Sequence, residues 1–180
     1  MRLQALLGAG LLAALTAGCA GIGPNLMEGP VALQSRFDPA EVAWFSGRGS
    51  NTISGSAILR SYSGTIKTCA ALPVVLFPVS AYGRERMRHL YGSETEGYNP
   101  QAGGHPADFV PDDPRYQTTA KTGRCDAHGR FVFANLPNGD YYLVATVTWR
   151  ERPLGIDEGG SLMLRVKVAD GDTRDVLLAH

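Results

Sequence analysis

Neither sign of charge prevails in this chain: Lys and Arg number 17, and Asp and Glu also number 17, among 180 residues. Without a field of one sign there is no long-range pull toward nucleic acid or an acidic surface, so no nucleic-acid partner is expected. Long apolar runs are missing too. The stretch from Leu3 to Leu15 falls short of the ~20 residues that a membrane-spanning helix needs. His89, His105, His128 and His180 never stand at i, i+2 or i, i+4, so no single element presents a ready metal pair. A serine nucleophile would need a strained elbow and a histidine partner, whereas Gly47-Arg48-Gly49-Ser50 and Gly55-Ser56 read as turn and strand residues. Asp112 with Asp113, and Asp170 and Asp172 with Asp175, follow no calcium-loop spacing and suit turns for backbone reasons. The expectation is a protein that is not an enzyme and uses no metal or cofactor.

Glycine and proline are plentiful, at 22 and 11, and the remaining apolar residues fall in short alternating runs, as many brief strands joined by turns would produce. The length suits one compact domain.

Residues 1–18 read as a signal peptide, with Arg2 as a small basic region ahead of the apolar stretch. The segment ends Leu15-Thr16-Ala17-Gly18-Cys19 and resembles a bacterial lipobox, in which small residues precede a cysteine that is acylated and becomes the new N-terminus. That resemblance implies a lipoprotein anchored in the cell-envelope membrane through Cys19. Each buried CH₂ of its acyl chains contributes about 0.8 kcal/mol to anchorage. Ala20 does not resemble the Asp-type retention signal, which implies the outer membrane, facing the periplasm. Thr16 stands where the pattern usually has an aliphatic residue, and ordinary signal-peptidase cleavage near Ala20 is the alternative.

Assigning Cys19 to lipid leaves Cys69 and Cys125, an even pair in an oxidising compartment. A disulfide between them is expected to stabilise by roughly 4 kcal/mol; two separate buried thiols are the other possibility. Neither cysteine has a second ligand at zinc spacing.

From Ala20 to about Gly47 the composition suggests a tether, residues 19–48, lifting the domain off the membrane. Phe37, Val42, Trp44 and Phe45 sit uneasily in a tether and suit a docking strand. From Asn51 on, Ile53, Gly55, Ala57 and Leu59 share one strand face. Residues 65–69 and the apolar run Pro73–Val79 make two further strands. Tyr82 to His89 suits one short, charged surface helix. Residues 92–115 are rich in Gly and Pro and read as a long loop. Phe131 with Phe133, then Tyr141 to Trp149, then Leu162 to Val168 alternate strictly, as in antiparallel sheets with one wet face. Asp170-Gly171-Asp172 marks a turn, so that residues 160–179 read as a hairpin. The sum is seven or eight strands in an all-β antiparallel sandwich over residues 49–180.

Asp126, Gly129, Phe131, Phe133, Leu136, Pro137, Gly139 and Tyr141 fill the pattern D-x-x-G-x-F-x-F-x-x-L-P-x-G-x-Y. This segment resembles the carboxypeptidase regulatory-like module. The resemblance implies a transthyretin-like (prealbumin-like) sandwich that serves as a binding or spacing element and carries no catalytic residues of its own.

Two groups of side chains suit partner binding. Tyr91, Tyr98, Phe109 and Tyr116, with His105, supply rings along the long loop, and Arg84, Arg86 and Arg88 form a local basic cluster. The leading expectation is a non-catalytic envelope lipoprotein whose sandwich binds another protein or a glycan. Pro73 to Val79 is also weakly similar to the anchored transthyretin-like lipoprotein of type VI secretion systems, which implies a secretion-machine component as an alternative. A periplasmic hydrolase or metal-binding protein, with a site in the 92–115 loop, is the competing class.

Overall fold

A computed structural model describes residues 29–105, 108–151 and 155–180. The expected signal peptide, Cys19 and the first part of the expected tether lie outside the described residues.

In chain order the elements are β1 (Val31–Ala32), a 3₁₀ turn (Ala43–Ser46), β2 (Asn51–Arg60), β3 (Ile66–Thr68), β4 (Pro73–Pro78), α1 (Ala81–Tyr91), β5 (Glu96–Pro100), β6 (Phe109–Val110), α2 (Pro114–Thr119), β7 (Lys121–Arg124), β8 (Arg130–Leu136), β9 (Gly139–Trp149), β10 (Glu158–Val168) and β11 (Thr173–Ala179). One sheet runs β5-β10-β9-β4-β7 and is antiparallel throughout. The facing sheet is centred on β2, with β11 on one edge and β3 and β8 sharing the other. The chain is therefore an all-β sandwich.

The main core lies between the sheets. Ile53 and Ala57 of β2, Phe131 of β8, Leu143 and Val147 of β9 and Leu162 of β10 are all buried there. Strict alternation along β2 delivers this, since successive side chains point to opposite faces. The Cys69–Cys125 disulfide, with Cα atoms 5.8 Å apart, ties the end of β3 in one sheet to the end of β7 in the other. Asn51, fully buried, is satisfied on both sides: its Nδ2 donates to the Leu136 carbonyl at 2.9 Å, and its Oδ1 accepts the N–H groups of Gly171 and Asp172, each at 2.9 Å.

Several positions of the resemblance motif have a physical role. The Asp126 carboxylate accepts the N–H groups of His128 and Arg130 at 2.8 and 2.9 Å, closing a turn in which Gly129 takes φ 76°. Tyr141, buried, donates its hydroxyl to the Pro137 carbonyl at 2.6 Å.

Four expectations are corrected. First, β10 and β11 are not a hairpin; the Asp170-Gly171 turn carries the chain from one sheet to the other, where β11 pairs in parallel with β2. Second, the outer face of the five-stranded sheet is not wet. Phe77, Tyr142 and Met163 on that face meet Tyr82 and Met87 of α1, Tyr116 of α2 and Leu33, Phe37 and Val42 of the N-terminal segment in a second core. A sheet covered on both faces needs apolar residues at successive positions, and β9 supplies them from 141 to 145, with Tyr141, Leu143 and Ala145 in the first core and Tyr142 and Val144 in the second. Third, the described residues of the 92–115 segment are not a structureless loop, and the α-helices among the described residues number two. β5 extends the sheet from the edge of β10, β6 pairs with β1, and Asp113 caps α2 ahead of Pro114 by accepting the Arg115 N–H at 2.9 Å. Fourth, the stretch before residue 49 is docked from residue 31 onward rather than being a tether.

Glu85 of α1 clasps that docked segment. Its carboxylate oxygens accept the backbone N–H groups of Gln34 and Ser35, both at 2.8 Å. Burial alone would raise this carboxyl, but the two amide bonds, helped by the Ser35 side chain and His89, outweigh it and hold the group below the ordinary glutamate range. A depressed carboxylate stabilises the folded form above its unfolded value near 4.3 and ceases to do so as pH falls through the lower folded value. The protection factors of the Gln34 and Ser35 amides are therefore expected to fall as pH drops below the ordinary glutamate range, and Glu85→Gln is expected to release the segment at neutral pH. Protection unchanged in both experiments contradicts the clasp.

Candidate functional site

At one end of the five-stranded sheet, β9 begins and β10 ends, and the antiparallel register sets Lys167 opposite Asp140 and Arg165 opposite Tyr142. Arg165 donates from Nε to both Asp140 oxygens, at 3.1 and 3.0 Å, and from Nη2 at 2.5 Å. The planar pair is about one-third exposed, at 31% and 28%. Hydrogen bonding to Asp140 pushes the guanidinium above its ordinary range.

Trp44, on the 3₁₀ turn, borders the same space. Its half-buried indole meets Tyr141 edge-on at 5.3 Å and Phe45 at 5.9 Å. Gly139 is required beneath it, because a Cβ there would lie 2.1 Å from the indole ring. Asn138 supplies an amide at the rim, where its Nδ2 donates to Asp170 at 3.0 Å. Val79 and Arg84 border this space as well. Together these groups line an open groove of about 390 Å³.

The ring residues expected to bind a partner divide differently. Tyr91 and Tyr98 border a second groove, also about 390 Å³, between β5, β10 and β11. Tyr98 stacks on His180 at 4.6 Å, but both hydroxyls are already engaged: Tyr91 donates to Ser161 Oγ at 3.0 Å and Tyr98 to the Gly159 carbonyl at 2.9 Å. Phe109, Tyr116 and Arg86 are no part of a partner surface, being only 2%, 1% and 4% exposed. The Arg86 guanidinium lies over the rings of Phe109, Tyr116 and Tyr82 and pairs with Asp112. Arg88 is exposed and pairs with Glu94, and Arg84 alone of the basic cluster reaches the Trp44 groove. His105 lies exposed, bound by Asn99 through its backbone. Among the described residues, no three His, Cys, Asp or Glu side chains converge on a metal-sized site.

Trp44, Asp140, Arg165 and Lys167 were not foreseen as site residues. Arg165 and Lys167 are the outward positions of an alternating strand, indistinguishable in sequence from ordinary solvated charges. A lone tryptophan in a supposed tether was the available signal.

The fold and groove define a class: a two-sheet sandwich with an indole set beside a rigid array of planar polar groups. No protein-family model matches the chain, and no curated protein sequence matches it significantly. Among solved structures, one from Pseudomonas aeruginosa, described as "a putative carbohydrate binding protein", superposes with a TM-score of 0.67 and is 30% identical, covering 81% of this chain and 99% of its own. The chain belongs to the same family as that Pseudomonas aeruginosa protein.

Proposed function

We propose that this chain is a non-catalytic glycan-binding module of the bacterial cell envelope, and that the Trp44 groove is its binding site. The observation carrying this reading is the placement of a half-buried indole next to the Asp140–Arg165 pair in one open groove. A sugar ring has an apolar C–H face and a rim of neighbouring hydroxyls. An indole matches the first, and a planar carboxylate and guanidinium offer spaced acceptors and donors to the second. Because Asp140 and Arg165 already fix one another, little side-chain freedom is lost on binding. The relationship to a family member described as carbohydrate binding points the same way.

The test is a panel of immobilised glycans probed with the parent and with Trp44→Ala. The parent is expected to retain at least one glycan, and Trp44→Ala to weaken it about 30-fold, the loss usual for a central tryptophan contact. Thermal unfolding of the variant checks that it folds, and Asp140→Asn, which leaves the core untouched, is expected to weaken the same glycan. Failure to retain any glycan, or full retention by both variants, contradicts the proposal.

The reading includes export and anchorage through acylated Cys19, supported by the lipobox-like segment Leu15–Cys19, and kinship with carboxypeptidase regulatory-like modules, supported by residues 126–141. Metabolic labelling with a fatty-acid analogue is expected to mark the parent and not Cys19→Ala; unlabelled parent protein removes the anchor from the proposal.

A further inference from the structure

Resting on the glycan reading of the same groove, we propose that its ligand is an acidic saccharide, one whose ring or substituent carries a carboxylate or a phosphate ester. The groove holds three cations, Arg84, Arg165 and Lys167, and one carboxylate, Asp140. Asp140 is committed to Arg165. Arg84 and Lys167 have no carboxylate within ion-pairing distance among the described residues.

The carboxylates nearby are engaged elsewhere. Glu41 accepts the Ala81 N–H at 2.9 Å, Asp170 accepts from Asn138 at 3.0 Å, and Glu94 pairs with Arg88. In a chain whose formal charges balance at 17 of each sign, two unpaired cations facing one groove make a local excess that a neutral sugar leaves uncompensated.

Arg84 strengthens the case by its position. It lies near the start of α1, with Ser80 as N-cap and no acidic residue in the first turn. The positive end of the helix dipole opposes a cation there; Glu41 already accepts the Ala81 N–H at that end, so what an anion adds is a partner for Arg84. An acid group between Arg84 and Lys167 would satisfy both side chains, while the rest of the sugar rests against Trp44. Arg165 stays with Asp140 and serves the hydroxyls.

Calorimetric titration of the full chain tests this with oligomers of galacturonate, glucuronate and mannuronate, each against its carboxyl-reduced neutral counterpart, and with mannose 6-phosphate against mannose. At least one acidic member is expected to bind about tenfold more tightly than its neutral partner, with the advantage shrinking as salt rises. The double variant Arg84→Ala/Lys167→Ala is expected to bring acidic and neutral affinities level, and Arg84→Lys/Lys167→Arg to retain the acidic advantage. A uronate preference identifies the acid as a carboxylate, and a preference for the sugar phosphate identifies it as an ester. Equal affinity for acidic and neutral members overturns the acidic specificity and leaves glycan binding standing. Binding of neither overturns both.

Discussion

Removing the Cys69–Cys125 bridge, by reduction or by the double change to alanine, is expected to lower stability by about 4 kcal/mol. The two cysteines are 56 positions apart, so the bridge closes a long loop in the unfolded chain and removes much of its freedom. The native geometry adds a second reason. Cys69 follows β3 and Cys125 follows β7, so the bridge joins the two sheets at edges where no hydrogen-bond ladder connects them. Both residues are almost fully buried, at 0% and 3% exposed, and their replacement also thins the inter-sheet core. For a domain of this size the loss corresponds to a fall in melting temperature of roughly 8–16 °C. Thermal unfolding followed by circular dichroism, with and without reductant, measures it. A change under about 1 kcal/mol would mean that the sheets hold together without the bridge.

Arg86→Ala is expected to cost about 3 kcal/mol, whereas Arg88→Ala, two positions along, is expected to stay within about 0.5 kcal/mol. The guanidinium of Arg86 sits 4.2 Å from the Phe109 ring centre, 5.2 Å from that of Tyr116 and 5.5 Å from that of Tyr82. It also donates to the Tyr82 hydroxyl at 3.1 Å and to Asp112 at 2.5 Å. Truncation leaves a hole among three rings and forfeits the cation–π contacts. Asp112 is 44% exposed and rehydrates when its partner goes, so the expected loss is one of packing more than of a stranded charge. Arg86→Met should therefore recover about half of it. Arg88, by contrast, is 57% exposed, and its pair with Glu94 is the kind of surface contact that contributes little. Urea midpoints of the three variants decide the matter; equal effects of Arg86→Ala and Arg88→Ala would contradict the buried assignment.

The contrast between these two arginines shows what a sequence displays and what it conceals. Two-residue alternation is visible wherever one strand face is buried and the other wet, so β2 and β8 were legible in the sequence. The partners for the disulfide emerged from counting cysteines by compartment. The second core was hidden because its residues come from segments that look unfit to build one. Arg86 and Glu85 register as surface charges, Phe37 and Val42 stand in a stretch of tether-like composition, and Tyr116 follows a run of prolines. Each is buried only because α1, α2 and the N-terminal segment fold onto a single face of the sheet, a pairing that no local pattern encodes. The groove was concealed for the same reason, since Trp44 and Lys167 are 123 positions apart in sequence and meet only where β10 ends beside the 3₁₀ turn.

Chemical-shift mapping of the isotope-labelled chain, titrated with whichever saccharide it retains, reports most directly on where ligand sits. The expected outcome is a compact set of perturbed signals comprising the Trp44 indole N–H and the backbone amides of Arg84, Asn138, Gly139, Asp140, Arg165 and Lys167, while Tyr98 and His180 stay unmoved. Perturbations gathered instead around Tyr98 and His180 would contradict the site.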